Sequence, residues 1–89
     1  MPTISMFYGI IIRMYYDDHN PPHFHAFFGE YKATFNFDGE ILSGSMPKQK
    51  EKLISAWAVI HKEDLNANWL LAKDSEKLYN INPLNWPGR

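Results

Sequence analysis

Two turn-forming dipeptides divide residues 24–42 into short apolar stretches and restrict the fold more than any other feature of the sequence. Gly29-Glu30 suits a two-residue type II′ turn and Asp38-Gly39 suits a type I′ turn, and both turn types join antiparallel strands. Three strands of a β-meander are therefore predicted, over residues 24–28, 31–37 and 41–42.

Two-residue turns would also fix which residues lie opposite one another. The predicted pairs on one face are Phe28 with Tyr31, Ala26 with Ala33, Phe24 with Phe35, and Phe35 with Leu42. Because this face is wholly apolar, it is predicted to be the core side of the sheet. The other face would carry His23 beside Asn36 and His25 beside Thr34, and a slip of one residue would exchange the two faces.

After the meander, the apolar spacing becomes helical and predicts two helices. Ser45 is the expected N-cap of the first helix, with Pro47 in its first turn. Its apolar stripe is Leu53, Ile54, Trp57 and Ile60. The second helix, over residues 62–73, would bury Leu65, Trp69 and Ala72. In the C-terminal segment, Ile81 and Leu84 are expected to dock as an edge segment.

The predicted fold class is α+β: an antiparallel sheet of about four strands with two amphipathic helices packed on one face. The N-terminal residues 4–16 are rich in β-branched and aromatic side chains, which indicates one long strand bent at Gly9. At 89 residues, the chain is expected to form a single domain over residues 1–84, followed by a short C-terminal tail over residues 85–89.

Composition excludes several classes of protein and site. The formal net charge of −1 provides no general attraction to nucleic acid or to anionic membranes. There is no cysteine, which rules out thiolate nucleophiles and favours a reducing compartment. The apolar N-terminal run is too short to span a membrane, and it is interrupted by Arg13. A cytoplasmic protein without a membrane partner is expected.

Three of the four histidines, His19, His23 and His25, lie within seven residues of one another. His23 and His25 alternate on a strand, so they project to the same side, and His19 could approach from the preceding loop as a third metal ligand. Asp17 or Asp18 could add a carboxylate oxygen, giving the nitrogen and oxygen ligands that zinc, iron or nickel accept. The alternative is that the histidines are ordinary exposed residues of a turn and a strand.

The same segment also suits acid–base chemistry without a metal. A histidine held by Asp17 could move protons near neutral pH, and Arg13 could stabilise a developing phosphate charge. His23, His25, Arg13 and Asp17 are therefore the candidate catalytic residues. Tyr15 and Tyr16 come from the strand entering the same loop, and histidine, arginine and tyrosine together form a set of the kind that metal-independent ribonucleases use. The alternative is that Arg13 merely pairs with an aspartate at the sheet edge.

The segment from Phe7 through the Asp18-His19-Asn20-Pro21-Pro22-His23-Phe24-His25 run resembles a small bacterial family, the domain of unknown function DUF4160. Gly44-Ser45-Met46-Pro47, Trp57, Leu65 and Trp69 fit the same pattern, and the resemblance extends from Pro2 to about Leu84. It implies a short bacterial protein encoded beside a second small protein, in a pair of toxin–antitoxin type. It implies no specific activity.

Three hypotheses of function follow from these features of the sequence. The first hypothesis is one member of a toxin–antitoxin-type pair that acts through its histidine-rich sheet face, with RNA as a possible target. The alternatives are a non-catalytic protein-interaction module, whose partner is the product of a neighbouring gene, and a metal-binding protein that uses the histidine cluster. The sequence leaves open whether the protein is an enzyme, whether it holds a divalent transition metal and whether it forms oligomers.

Overall fold

The computed structural model describes residues 2–85, so the predicted tail lies outside the described residues except for Asn85. Five strands precede two helices: β1 (Thr3–Phe7), β2 (Ile10–Arg13), β3 (His23–Phe28), β4 (Tyr31–Asn36), β5 (Ile41–Gly44), α1 (Lys48–Ile60) and α2 (Lys62–Lys73). The strands form one antiparallel sheet in the order β1-β2-β3-β4-β5. This confirms the predicted α+β class, with five strands where about four were predicted.

The extra strand comes from a turn at Tyr8 and Gly9. The prediction of one long strand bent at Gly9 is wrong, because β1 and β2 form a hairpin in which Phe7 lies opposite Ile10. Tyr8 has φ 50° and Gly9 has φ 79°, and a type I′ turn requires positive φ at both central positions. Tyrosine rarely adopts positive φ, so the residue types at positions 8 and 9 did not indicate a type I′ turn.

The predicted register of the central hairpin is confirmed in full. Between β3 and β4, Phe24 lies opposite Phe35, Ala26 opposite Ala33, His25 opposite Thr34 and His23 opposite Asn36. The four apolar members of these pairs are buried. His23 and His25 alternate with these apolar residues along β3, so they lie on the face of the sheet opposite the apolar pairs.

The turn between β4 and β5 is longer than predicted. Four residues, 37–40, separate β4 from β5, and Asn36 donates its backbone N–H to the carbonyl of Glu40. The side-chain oxygen of Asn36 also accepts the backbone N–H groups of Asp38 and Glu40, which stabilises the wider turn. Phe35 consequently lies opposite Ile41, and its predicted pairing with Leu42 is wrong.

The two helices cover the apolar side of the sheet. Helix α1 begins without the predicted Ser45 cap, because Pro47 is its N-cap residue and no side chain caps it. Ile54 and Trp57 are buried and Leu53 is half-buried, whereas Ile60 is exposed, contrary to the predicted stripe. Helix α2 has the predicted bounds and buries the predicted residues Leu65, Trp69 and Ala72.

The C-terminal segment closes the β1 edge of the sheet, as the sequence predicted. The backbone N–H of Ile81 donates to the carbonyl of Ile4 at 2.7 Å, and Leu84 packs against the core. The indole N–H of Trp57 donates to the carbonyl of Asn82 at 2.8 Å, which joins this segment to α1. Within residues 2–85, none of the helices has the length and hydrophobicity needed to cross a bilayer.

Candidate functional site

One carboxylate, that of Asp18, lies at the centre of the histidine cluster. Its Oδ2 atom is 3.0 Å from Nε2 of His23 and 3.3 Å from Nε2 of His25. Its Oδ1 atom accepts the backbone N–H of His19 at 2.8 Å and lies 2.9 Å from Nδ1 of the same residue. The loop before β3 and the first residues of β3 thus meet at a single acidic group.

His23 is the most enclosed member of the cluster, with 4% of its surface exposed. Its Nδ1 atom donates to the backbone carbonyl of Pro21 at 2.6 Å, so the proline pair of the loop orients the ring. Trp69 of α2 lies 5.6 Å from the His23 ring, measured between ring centres. His23 is therefore buried although it lies on the face of β3 opposite the apolar pairs, because the side chain of Trp69 covers the end of the strand.

His25 is more accessible and is held from a different direction. The ring of Tyr15, which follows β2, stacks on it with ring centres 4.3 Å apart and an angle of 27° between the planes. The side chain of His25 remains 21% exposed. The two strand histidines therefore direct their Nε2 atoms to the same oxygen, but only one of them is enclosed.

Helix α2 fixes the loop that carries Asp18. The ammonium group of Lys73 donates to the backbone carbonyl of Asp18 at 2.8 Å, and the backbone N–H of Asp17 donates to the carbonyl of Ala72 at 3.2 Å. Asp17 adopts φ 51°, and the peptide bond between Asn20 and Pro21 is cis. The C-terminal end of α2 thus decides where the carboxylate of Asp18 lies.

The electrostatic environment keeps Asp18 ionised. Burial alone would raise the pKa of its carboxyl group, but the hydrogen bonds from the His19 backbone and the His25 ring, with the nearby charges of His23 and His19, lower the pKa below its ordinary value. A carboxylate is therefore available at neutral pH, either as a hydrogen-bond acceptor or as a metal ligand.

The structure brings together part of each predicted set of site residues. Asp18, His23 and His25 each offer one ligand atom, and these three atoms lie within 4.8 Å of one another. His19 lies outside this group, with its ring beside the other oxygen of Asp18 and 83% of its side chain exposed. Asp17 is exposed, and its described contact is through its backbone. Of the two aspartates that the sequence offered, Asp18 is the one placed among the histidines.

Arg13 lies next to the cluster rather than in it. It is opposite His25 in the β2–β3 register. Its Nε atom donates to the hydroxyl of Thr3 at 3.4 Å, and its guanidinium group lies 5.2 Å from the centre of the Phe27 ring. The aromatic ring thus holds the cation on the sheet face that carries His25.

Sequence reasoning missed the contributions of Lys73 and Trp69 to this site. Lys73 is 55 positions from Asp18, and no local pattern connects the two residues. Trp69 was correctly predicted as a buried helix residue, yet its contact with His23 depends on how α2 packs at the end of β3. Tyr15, by contrast, was expected near the loop from its position in the sequence, and its ring stacks on His25.

Comparisons with known proteins identify a family without an assigned function. The family model described as Domain of unknown function (DUF4160) matches residues 9–70, well over half of the chain. The matched range includes Asp18, His23, His25 and Trp69. No curated protein and no solved structure matches the chain. The chain therefore belongs to the DUF4160 family, a domain of unknown function.

Proposed function

We propose that this protein binds one divalent transition metal ion through Asp18, His23 and His25, and that this ion is the centre of its activity. Two imidazole nitrogens and one carboxylate oxygen, all within 4.8 Å of one another, support the proposal. Zinc and iron(II) both accept this combination of ligands.

The hydrogen bond of His23 is the observation that carries the proposal. A carbonyl oxygen can only accept, so the Nδ1 atom of His23 must hold the proton that it donates to Pro21. When the ring carries a second proton, Nε2–H forms an ion pair with the carboxylate of Asp18 at 3.0 Å; without that proton, Nε2 presents a lone pair to the same carboxylate. Two acceptors at this distance repel each other unless a proton or a metal cation lies between them. Metal-binding histidines commonly have this arrangement, with the distal N–H donated to a backbone carbonyl.

The distances from the Asp18 carboxylate to the two histidines also suit a metal ion. With metal–ligand bonds of about 2.1 Å, neighbouring ligand atoms are separated by about 3.0 Å in octahedral geometry and about 3.4 Å in tetrahedral geometry. The Asp18 oxygen lies 3.0 Å from the His23 nitrogen and 3.3 Å from the His25 nitrogen. The carboxylate oxygen is therefore already at ligand spacing from both imidazole nitrogens, and these nitrogens lie within 4.8 Å of each other.

A metal held by three protein ligands retains room for a further ligand. Catalytic zinc sites commonly have three protein ligands and a water molecule, whose deprotonation the metal favours. A hollow of about 370 Å³, which we call the access hollow, reaches this side of the cluster; its lining includes His19, His23, His25 and Leu42. Water or a substrate could reach the ion from there, so metal-assisted hydrolysis is the chemistry that we propose.

Calorimetric titration of the metal-stripped protein with Zn²⁺ tests the proposal. The wild-type protein is expected to bind one equivalent, and the His23→Ala/His25→Ala double variant to bind none. His61→Ala is the matched control, because His61 lies between the two helices beside Asp64 and not in the cluster. Circular dichroism would establish that each variant is folded. Absence of binding by the wild-type protein, or unchanged binding by the folded double variant, would refute the proposal.

A second candidate function, docking of a partner protein, is supported by strand β5. All four residues of β5 are exposed, and β5 is the last strand of the sheet, whereas the C-terminal segment closes the edge at β1. Edge strands offer backbone groups for pairing with a strand from another chain. The small protein of a neighbouring gene, in a toxin–antitoxin-type pair, is the partner that we propose for this edge.

Co-purification with the neighbouring gene product tests this candidate. Leu42→Lys should weaken the complex by placing a charge on the β5 edge, while Leu70→Lys should not, because Leu70 is an exposed residue of α2. The pair hypothesis also predicts that expression without the neighbour slows growth and that His23→Ala restores it. Failure of the two proteins to co-purify, or equal effects of the two lysine substitutions, would refute docking at β5.

A further inference from the structure

A second hollow on the outer face of the sheet begins at the metal-ligand candidate His25. Its volume is about 330 Å³, within the range typical of small-molecule sites. We call it the aromatic hollow; the residues that matter for its chemistry are Tyr15, His25, Phe27, Lys32, Thr34 and Ser43. His25, Thr34 and Ser43 also line the access hollow, so the two hollows are neighbours and His25 stands between them.

The charge of the aromatic hollow favours an anion. Lys32 contributes an ammonium group, and Arg13 lies over the ring of Phe27 at one side. None of the described residues that line the hollow is acidic. The hydroxyl groups of Thr34 and Ser43, hydrogen-bonded to each other at 2.7 Å, add polar groups that can donate to an anionic oxygen. This local positive character contrasts with the net charge of −1 of the whole chain.

The aromatic side chains of the hollow favour a ligand with a flat ring. Tyr15 is held in place by stacking on His25, and Phe27 is held under the guanidinium group of Arg13. Aromatic rings and arginine planes of this kind stack with nucleobases without regard to base identity. A phosphate is the anion that commonly accompanies such a ring, and arginine and lysine both bind phosphate.

We propose that the aromatic hollow binds a nucleoside phosphate, with the base against Tyr15 and Phe27 and the phosphate near Arg13, Lys32 and the metal centre. The proposal rests on the proposed function, because a metal bound by His25 would lie at one end of the hollow. The nucleoside phosphate could be a free nucleotide or one unit of a single-stranded RNA. Both sources present the same base and phosphate to the hollow. An RNA strand continues beyond the hollow, whereas a free nucleotide does not.

Binding measurements on the Zn²⁺-treated protein test the proposal with three probes: inorganic phosphate, adenosine 5′-monophosphate, and a fluorescein-labelled ten-nucleotide single-stranded oligouridine. Adenosine monophosphate is expected to bind at least tenfold more tightly than inorganic phosphate, because stacking contributes to its affinity. Tighter binding of the oligouridine than of free nucleotides would identify RNA as the source. Equal or weaker binding of the oligouridine would identify a free nucleotide. Equal affinity for inorganic phosphate and adenosine monophosphate would refute a base-binding hollow.

Substitutions that spare the metal ligands show whether binding occurs in this hollow. Lys32→Gln and Tyr15→Leu are each expected to weaken nucleotide binding about tenfold, while Tyr15→Phe retains the ring and the affinity. Lys48→Gln, on α1, is the control for a general loss of positive charge. If neither Lys32→Gln nor Tyr15→Leu weakens binding, the hollow is not the site.

Zinc titration of the same variants separates this proposal from the proposed function. One equivalent of zinc bound by a protein that binds neither nucleotide nor RNA would refute the nucleotide site and leave the metal site standing. Nucleotide binding that is sensitive to Lys32→Gln but occurs without any zinc binding would support the hollow and refute the metal centre.

Discussion

Replacement of Asp18 by asparagine is the sharpest test of the metal centre, because it removes the anionic ligand without changing the shape of the side chain. The wild-type protein at a Zn²⁺ concentration of 100 times its Kd should gain about 2.7 kcal/mol of stability. In a domain of this size, each kcal/mol raises Tm by about 4–8 °C. Zinc should therefore raise the Tm of the wild-type protein by roughly 10–20 °C.

The asparagine variant should lose nearly all of this stabilisation. Altering a hydrogen-bond partner of a metal ligand already costs about 10–100-fold in affinity, so loss of the ligand itself should cost about 100-fold or more. At the same zinc concentration, the ion would then sit near its Kd and contribute only about 0.4 kcal/mol. The expected rise in Tm for Asp18→Asn is roughly 2–3 °C or less.

Asp17→Asn is the matched control in this thermal-shift assay. It removes the same charge one residue away, at an exposed position with φ 51° that asparagine also tolerates. Its zinc-induced shift should equal that of the wild-type protein. Equal losses of the zinc-induced rise in Tm in the two variants would mean that zinc binding depends only on the overall charge of the loop. An undiminished rise in Tm for Asp18→Asn would show that this carboxylate is not a ligand.

Three further predictions concern stability. The pKa of Asp18 is lowered from its ordinary value near 3.8, so its contribution to folding is present above that pH and is lost as the pH falls through the folded-state pKa. In urea titrations with a chelator, the difference in unfolding free energy between wild type and Asp18→Asn should therefore shrink below about pH 4. A difference that stays constant with pH would contradict this. Gly39→Ala should lower the free energy of unfolding by about 2 kcal/mol or more, because Gly39 has φ 86° and an added Cβ would lie 2.8 Å from the Ser55 carbonyl oxygen. Gly29→Ala should cost less by the same assay, because no atom beyond its two chain neighbours would lie within 4 Å of the added Cβ. Equal costs would count against the steric argument. Trp57→Phe should lower the free energy of unfolding by about 1–3 kcal/mol, because it leaves the carbonyl that accepts the indole N–H without its partner; an unchanged unfolding midpoint would show that this bond contributes little.

The central hairpin shows how much a local pattern can determine. Gly29 supplies the positive φ that the turn between β3 and β4 needs, and the alternation of apolar and polar side chains on either side allows only one favourable register. The helix spacing after Pro47 likewise predicted α2 with its bounds. These features depend on residues close together in the chain, so they could be predicted from the sequence.

The turns that were mispredicted depend on less regular local interactions. Tyr8 adopts a positive φ that its residue type disfavours, and Asn36 widens the following hairpin by accepting two backbone N–H groups. Ser55 of α1 also donates its hydroxyl to the carbonyl of Gly39 at 2.6 Å, which connects this turn to a helix. Such contacts decide among turns that the sequence alone allows.

The sequence by itself determined that His23 and His25 share one face of a strand and that acidic residues lie in the preceding loop. Only the tertiary structure decided that Asp18, rather than Asp17, approaches the histidines. The reason is that Lys73 and Ala72, at the end of α2, bind the backbone of the two aspartates and so direct one side chain toward β3. Trp69 completes the site by enclosing His23, and contacts between such distant parts of the chain are established only when α2 packs against the sheet.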